Sequence, residues 1–286
     1  MRRLFPALFL ILLAPSLTAC DSTSNEPEPE PEVIPAKEGY SLVWNDEFEG
    51  HEVNTANWTH WVTGNPFNNE LQYYTARKDN STIEDGVLYL VARKETYTAA
   101  DGTREYTSAR INTKDKVDFK YGRVEVRAQM PIGQGIWPAI WMLPTDNVYG
   151  GWPHSGEIDI MEYLGHEPRT VYGTLHYTRE NAPQHYHEGS SYTLPSGAFS
   201  DDFHVFELEW DETEMRWYVD GVQYRVHRNW STFGHDYPAP FDQRFHLLLN
   251  VAVGGDWPGS PSAATAFPQI MKVDYVRVFE RVAAQD

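Results

Sequence analysis

The chain is almost without cysteine: of 286 residues, Cys20 is the single one. That excludes a disulfide framework, and it excludes a thiol nucleophile in any domain that begins after the first few dozen residues. Basic residues are scarce too, 23 Lys+Arg against 41 Asp+Glu, for a formal charge of -18. A surface this acidic repels nucleic-acid phosphates and anionic lipid, so no nucleic acid is expected as a partner and neutral ligands are favoured. Sulfated and uronic acid polymers are disfavoured as well, unless a local basic groove overrides the net charge. No long stretch sustains a helical period. The apolar run at residues 4–13 is too short for a normal membrane span.

That run has its own meaning. Met1-Arg2-Arg3 is a short basic lead, residues 4–13 are an apolar segment, and Leu17-Thr18-Ala19-Cys20 resembles the bacterial lipobox. Residues 1–19 therefore read as a lipoprotein-type signal peptide, with Cys20 as the lipidated first residue of an exported protein. An ordinary signal peptide with a chance cysteine is the alternative. Residues 20–39 follow with alternating Glu and Pro, which cannot build a core and read as a semi-rigid tether.

What is abundant is aromatic: 10 Trp, 17 Tyr and 13 Phe, 14% of the chain. This exceeds what a core needs and suggests flat surfaces on which ligands stack. From Tyr40 onward short strand-like runs recur between Gly, Pro, Asn and Asp. They fall at 41–44, 71–75, 87–93, 108–112, 122–130, 137–143, 158–163 and 170–176, then 204–210, 214–219, 222–228, 245–251 and 273–279. Asp220-Gly221 between two such runs is a two-residue hairpin signal. Many short strands without repeats or a second linker predict an all-β fold: a jelly-roll sandwich of two antiparallel sheets with an open cleft, in one domain over residues 40–286.

The stretch Ser155-Gly-Glu-Ile-Asp-Ile-Met-Glu-Tyr163 carries three carboxylates, Glu157, Asp159 and Glu162, among apolar residues. Strict alternation puts Glu157 and Asp159 on one face and Glu162 on the other. In that arrangement the first two are the wet face of an edge strand and Glu162 begins a loop. A bulge at Ile160 or Met161 instead brings all three into one cleft, where like charges push their proton affinities apart. Upstream lies Gly133-Gln-Gly-Ile-Trp-Pro-Ala-Ile-Trp-Met-Leu-Pro144. Its Trp137 and Trp141 share a strand face with Ala139 between them. They serve either as core or, beside the carboxylates, as walls on which the apolar faces of pyranose rings stack. Trp152 is placed to add another wall.

These segments resemble glycoside hydrolase family 16, and more narrowly its bacterial laminarinase-type endo-β-1,3-glucanases. The similarity extends to Trp44-Asn-Asp-Glu-Phe48, Asn68-Asn-Glu-Leu-Gln-Tyr-Tyr74, Gly173-Thr-Leu-His176, Leu249-Asn-Val-Ala-Val-Gly-Gly255 and Val273-Asp-Tyr-Val-Arg-Val278. It implies a retaining endo-hydrolase that cleaves internal β-1,3-glucosidic bonds of laminarin-like glucans by double displacement. Glu157 would be the nucleophile, Glu162 the acid/base and Asp159 their assistant, with the two Glu carboxyls about 5–5.5 Å apart. Relatives without the inserted residue (E-x-D-x-E) mostly cut mixed-linkage glucan, so the insertion points toward 1,3-linked substrate. The same residues also allow transglycosylation, or action on mixed-linkage glucan or galactan. A non-catalytic glucan-binding protein on the same fold is the rival from another class.

By the same resemblance Asn68, Glu70 and Gln72 would bond sugar hydroxyls, His176 would lie near the acid/base, and Trp257 would line the groove. A turn amide and a structural histidine are the plain alternatives for Asn68 and His176. His185 and His187 with Glu188 have a spacing that suits a strand, but Gly, Ser and Pro bound the stretch, which reads as a solvated loop with no zinc signature. No catalytic cofactor is expected. A structural Ca²⁺ is implied away from the cleft, held by the Asp274 carboxylate and by backbone oxygens of Glu47 and Gly86. The expected partners are a β-glucan substrate and a membrane reached only through the lipid on Cys20; a monomer is expected.

Overall fold

The computed structural model describes residues 34–282, so the signal segment, Cys20 and most of the tether lie outside the described residues. All regular elements among the described residues are strands. Two sheets face each other across one core, the jelly-roll sandwich expected from the spacing of short strands. The larger sheet runs β15(Val222–His227), β14(Met215–Val219), β13(His204–Trp210), β8(Gly122–Gln129), β17(Gln269–Arg281), β5(Val87–Ala99), β6(Gly102–Ser108), β3(Gln72–Tyr74). In it β1(Tyr40–Asp46) also pairs with β17, and β4(Ser81–Glu84) with β5. The smaller sheet runs β12(Ala182–Thr193), β11(Thr170–Arg179), β10(Glu157–Tyr163), β9(Ile136–Pro144), β16(Phe245–Val253), β7(Arg110–Asn112), β2(Thr59–His60). Every pairing is antiparallel except β3 with β6.

The pattern of side chains dictates which face of each strand turns inward. In β8, Val124, Val126 and Ala128 enter the core. Arg123 and Glu125 face outward and meet Glu207 and Glu209 of β13. β16 is buried along its whole length, as the middle of the smaller sheet requires. The Asp220-Gly221 hairpin forms as expected, with φ of 49° and 75°, the left-handed pair that a tight two-residue turn needs.

Four strands escape the sequence pattern: β2, β4, β6 and β12. β12 corrects the reading of residues 185–188 as a loop. It is an edge strand, wet on both faces, so it has no apolar alternation to betray it. Its backbone pairing with β11 holds it in place from Thr170↔Thr193 to Arg179↔Ala182.

One irregularity positions everything that follows. Against β9, Asp159 pairs with Trp141 but Met161 pairs with Ile140; against β11, Asp159 pairs with Thr174 and Glu162 with Tyr172. β10 therefore holds one extra residue between Asp159 and Glu162, a β-bulge. Ile160 and Met161 both enter the core, at 2% and 0% exposure. The ladder is disturbed here, and the Asp159 carbonyl finds a partner across the core instead. Trp217 Nε1 of β14 donates to it at 2.9 Å. Gly173 on β11 makes room for that indole, since a Cβ there would sit 2.6 Å from Trp217 Cδ1.

Candidate active site

Register places the chemistry on the outer face of the smaller sheet. One row across it reads Arg110, Asn250, Ala139, Glu162, Tyr172; the next joins Trp141, Asp159 and Thr174. Glu157 opposes His176, which opposes His187. Opposed residues share a face, so the bulge puts Glu162 beside Glu157 and Asp159 rather than in the core. Trp137 and Trp141 are both half-buried on that face, so neither is a core tryptophan. Ala139 between them is small and lies directly opposite Glu162.

Each carboxyl has a distinct setting. Glu157 Oε2 accepts from the Trp152 indole at 2.7 Å. Asp159, 2% exposed, shares a hydrogen bond with Glu157 and has His176 Nε2 3.2 Å from its Oδ2. Glu162 accepts from Thr174 Oγ1 at 3.3 Å. Burial, with the charge of Asp159, pushes Glu157 up to about 8, against the downward pull of His176, the Trp152 indole and Arg110. Burial likewise raises Asp159, opposed by its hydrogen bond with Glu157 and by Arg225. Burial and the charges of Asp159 and Glu157 hold Glu162 well above the usual carboxylate range. A protonated Glu162 is what a general acid requires. The Glu157–Asp159 pair, linked by its own hydrogen bond, is the part of the trio that can give up a proton to make a nucleophile.

The walls are aromatic. Trp257 meets Trp137 edge to face at 5.7 Å and Tyr172 at 4.9 Å. Trp152 is 54% exposed. Arg110 lies between the rings of Trp61 and Trp141, 4.2 and 4.6 Å from their centroids, and Phe67 stacks on Trp61 at 5.7 Å. Asn68 stands exposed at the rim with φ 56°, and its carbonyl accepts from the Asp256 backbone N–H. Gly255 permits this close approach: a Cβ there would touch Asn68 O, Glu70 Cγ and the Trp137 ring.

Glu70, half-buried, and Gln72 bond to each other and to neighbouring protein groups. Gln72 is fully buried; it donates to Glu70 at 2.6 Å and accepts from the Val253 N–H at 2.7 Å. Tyr74 donates to Glu70 and accepts from Asn250, whose Oδ1 takes the Trp141 indole N–H at 2.8 Å. Glu70 thus ends a hydrogen-bond chain that fixes Trp141. Arg110, Tyr74, Asn250, Tyr172 and Thr174 went unread in the sequence. A lone Asn inside the apolar run of β16 was the available signal.

The three positions implied for calcium lie elsewhere. β17 changes partner along one edge, from β5 at Val273↔Leu88 to β1 at Val276↔Asp46, and Asp274 sits at the change. Glu47 follows β1 and Gly86 precedes β5. Asp274 Oδ2 accepts from Arg127 at 2.5 Å, and the Glu47 carboxylate is bound by Arg277 at 2.8 and 2.9 Å. Both implied acidic side chains are thus already engaged by arginines, which leaves one Asp274 oxygen without an ion-pair partner.

Two large carboxylates, a third between them and tryptophan walls on an open sheet face make this a polysaccharide-cleaving β-sandwich. The sequence profile described as glycosyl hydrolases family 16 matches residues 67–277, and the chain belongs to that family. It is 43% identical over 265 residues to glucan endo-1,3-beta-glucosidase A1 of Niallia circulans, covering 86% of this chain and 39% of that protein. It is 43% identical over 258 residues to the beta-glucanase of Rhodothermus marinus, covering 85% and 86%. The laminarinase catalytic domain of Thermotoga maritima superposes with TM-score 0.77 at 44% identity, covering 86% of this chain and all of the other. Hydrolysis in the family needs no catalytic cofactor.

Raised carboxyl pKa values cost stability as pH rises. The folded state keeps the Glu157 proton up to about 8, whereas the unfolded chain releases it near the ordinary value of 4.5. Stability contributed by that proton is therefore lost between those two values. Glu157→Gln should raise Tm at pH 8 by roughly 3 °C or more, with the gain vanishing at pH 4. Thermal unfolding at both pH values checks this; an equal effect at both would contradict it.

Proposed function

We propose that this protein is a retaining endo-acting glycoside hydrolase that cleaves internal β-1,3-glucosidic bonds. The observation that carries the reading is the bulge at Ile160–Met161, which sets Glu157, Asp159 and Glu162 on one tryptophan-walled face. Once the Glu157–Asp159 pair has released its proton to solvent, the Glu157 carboxylate attacks the anomeric carbon while Glu162 protonates the departing glycosidic oxygen, giving a glycosyl-enzyme. Glu162, now a base, takes a proton from water, which displaces Glu157 and returns it as a carboxylate. Asp159 hydrogen-bonds Glu157 and, by its charge, helps Glu162 keep its proton. The open face suits a polymer chain. A depression of about 660 Å³ beside Trp44 and Arg244 gathers no comparable chemistry, since Arg244 pairs with Asp118 and Asp146. The inserted residue and the endo-1,3-glucanase names of the relatives support laminarin-like substrates. The retention of all three carboxylates speaks against a purely binding role.

Reducing-sugar release from laminarin tests this. The wild type should be active and Glu157→Ala inactive; equal activity would sink the reading. Glu162→Ala should lose about 10²–10⁴-fold on laminarin but recover much of it on aryl glycosides whose leaving group needs no acid. An equal loss on both substrates would reverse the assignment of roles.

Two finer readings concern the rest of the chain. Calcium at Asp274, Glu47 and Gly86 is supported by the family resemblance of these positions and by the partner change of β17 at Asp274. At a hundredfold excess over Kd, calcium should add about 2.7 kcal/mol of stability, and Asp274→Ala should abolish the Tm gain. An unchanged wild-type Tm with and without chelator would dismiss the site. Export and lipid anchoring are supported by Leu17-Thr-Ala-Cys20 and the Glu/Pro tether. Labelled fatty acid should enter the wild type in bacteria and not Cys20→Ser; labelling of both would contradict the assignment.

A further inference from the structure

The double displacement accounts for the carboxylates but leaves a stack of histidines above them. His185 projects from β12, and its ring lies nearly parallel to that of His176, 5.2 Å away at 9°. Its Nε2 is 2.9 Å from His176 Nδ1. The other nitrogen of His176, Nε2, lies 3.2 Å from Asp159 Oδ2, a buried oxygen that has no hydrogen bond and for which His176 is the ring nitrogen in reach. His185 also packs on Trp152 at 4.9 Å, and that indole donates to Glu157. One exposed residue on an edge strand thus touches both groups that hold the Glu157–Asp159 pair.

The hydrogen count makes the contact directional. A neutral imidazole has one N–H and one bare nitrogen. His176 serves Asp159 only if its Nε2 carries the hydrogen, and then its Nδ1 is bare and needs a donor. His185 Nε2–H is the donor in reach. We propose that His185 is a positioning residue for the cleavage reaction: its Nε2–H selects the His176 tautomer that donates to Asp159, and Asp159 then holds Glu157. Burial and the neighbouring His176 and His187 hold the His185 pKa below its ordinary value, which keeps the ring neutral with a single hydrogen to place. Without that donor His176 is free to take the other tautomer and turn a lone pair toward a carboxylate.

This inference rests on the hydrolase reading above, and the experiment separates the two. The charged and titratable groups around the relay are Glu157, Asp159 and Glu162 of β10, His187 of β12, Arg225 beneath and Arg110 at the side. Two variants leave all of them in place. His185→Phe keeps a ring against Trp152 and His176 but has no donor; His185→Gln keeps an N–H at the same reach. On laminarin, His185→Phe should lower kcat roughly 10- to 100-fold with KM little changed. Its acid limb should move to higher pH, because Asp159 has lost a donor that favours its charge. His185→Gln should stay close to wild type in both respects. An inactive wild type would indict the hydrolase reading. With an active wild type, an unaffected Phe variant, equal losses in Phe and Gln, or a loss confined to KM would each overturn the positioning role.

Discussion

The site depends on one extra residue in β10. Side chains alternate strictly along a strand, so Glu157 and Glu162, five apart, belong on opposite faces. The bulge changes that parity by burying Ile160 and Met161 in succession. A bulge leaves backbone groups without ladder partners, and a buried carbonyl left unpaired costs on the order of 1–3 kcal/mol. Trp217 meets that need from the opposite sheet by donating to the Asp159 carbonyl, and Gly173 admits the indole. The two sheets are therefore tied at the point where the chemistry needs them tied.

The electrostatics follow from this geometry. Three carboxyls drawn together and partly shielded from water cannot all be charged. The site resolves this by giving each a different partner: an indole N–H for Glu157, His176 for Asp159, a threonine hydroxyl for Glu162. The resulting spread of proton affinities lets one member act as acid while another attacks. It also makes the catalytic strand a source of instability at alkaline pH, a cost that the surrounding buried core carries.

Much of this was legible in the sequence. The spacing of Glu157, Asp159 and Glu162 already offered a bulge as the alternative to a wet edge strand, and the same-face tryptophans already suggested stacking. Both follow from the period of two. Glu70 and Gln72 were legible only as polar residues near the groove. That they bond to each other and fix Trp141 through Tyr74 and Asn250 depends on contacts between residues more than 170 positions apart. β12 was invisible because an edge strand needs only a backbone partner, not an apolar pattern. His185 and His187 were misread as loop residues for the same reason, and the histidine stack went unseen with them.

The most direct test is to trap the intermediate. A slow 2-deoxy-2-fluoro laminaribiosyl donor, with a good leaving group, should leave a glycosyl ester that peptide mass spectrometry locates. The bulged geometry predicts the ester on Glu157. An ester on Asp159 or Glu162, or steady turnover of the donor with no ester formed, would contradict the account.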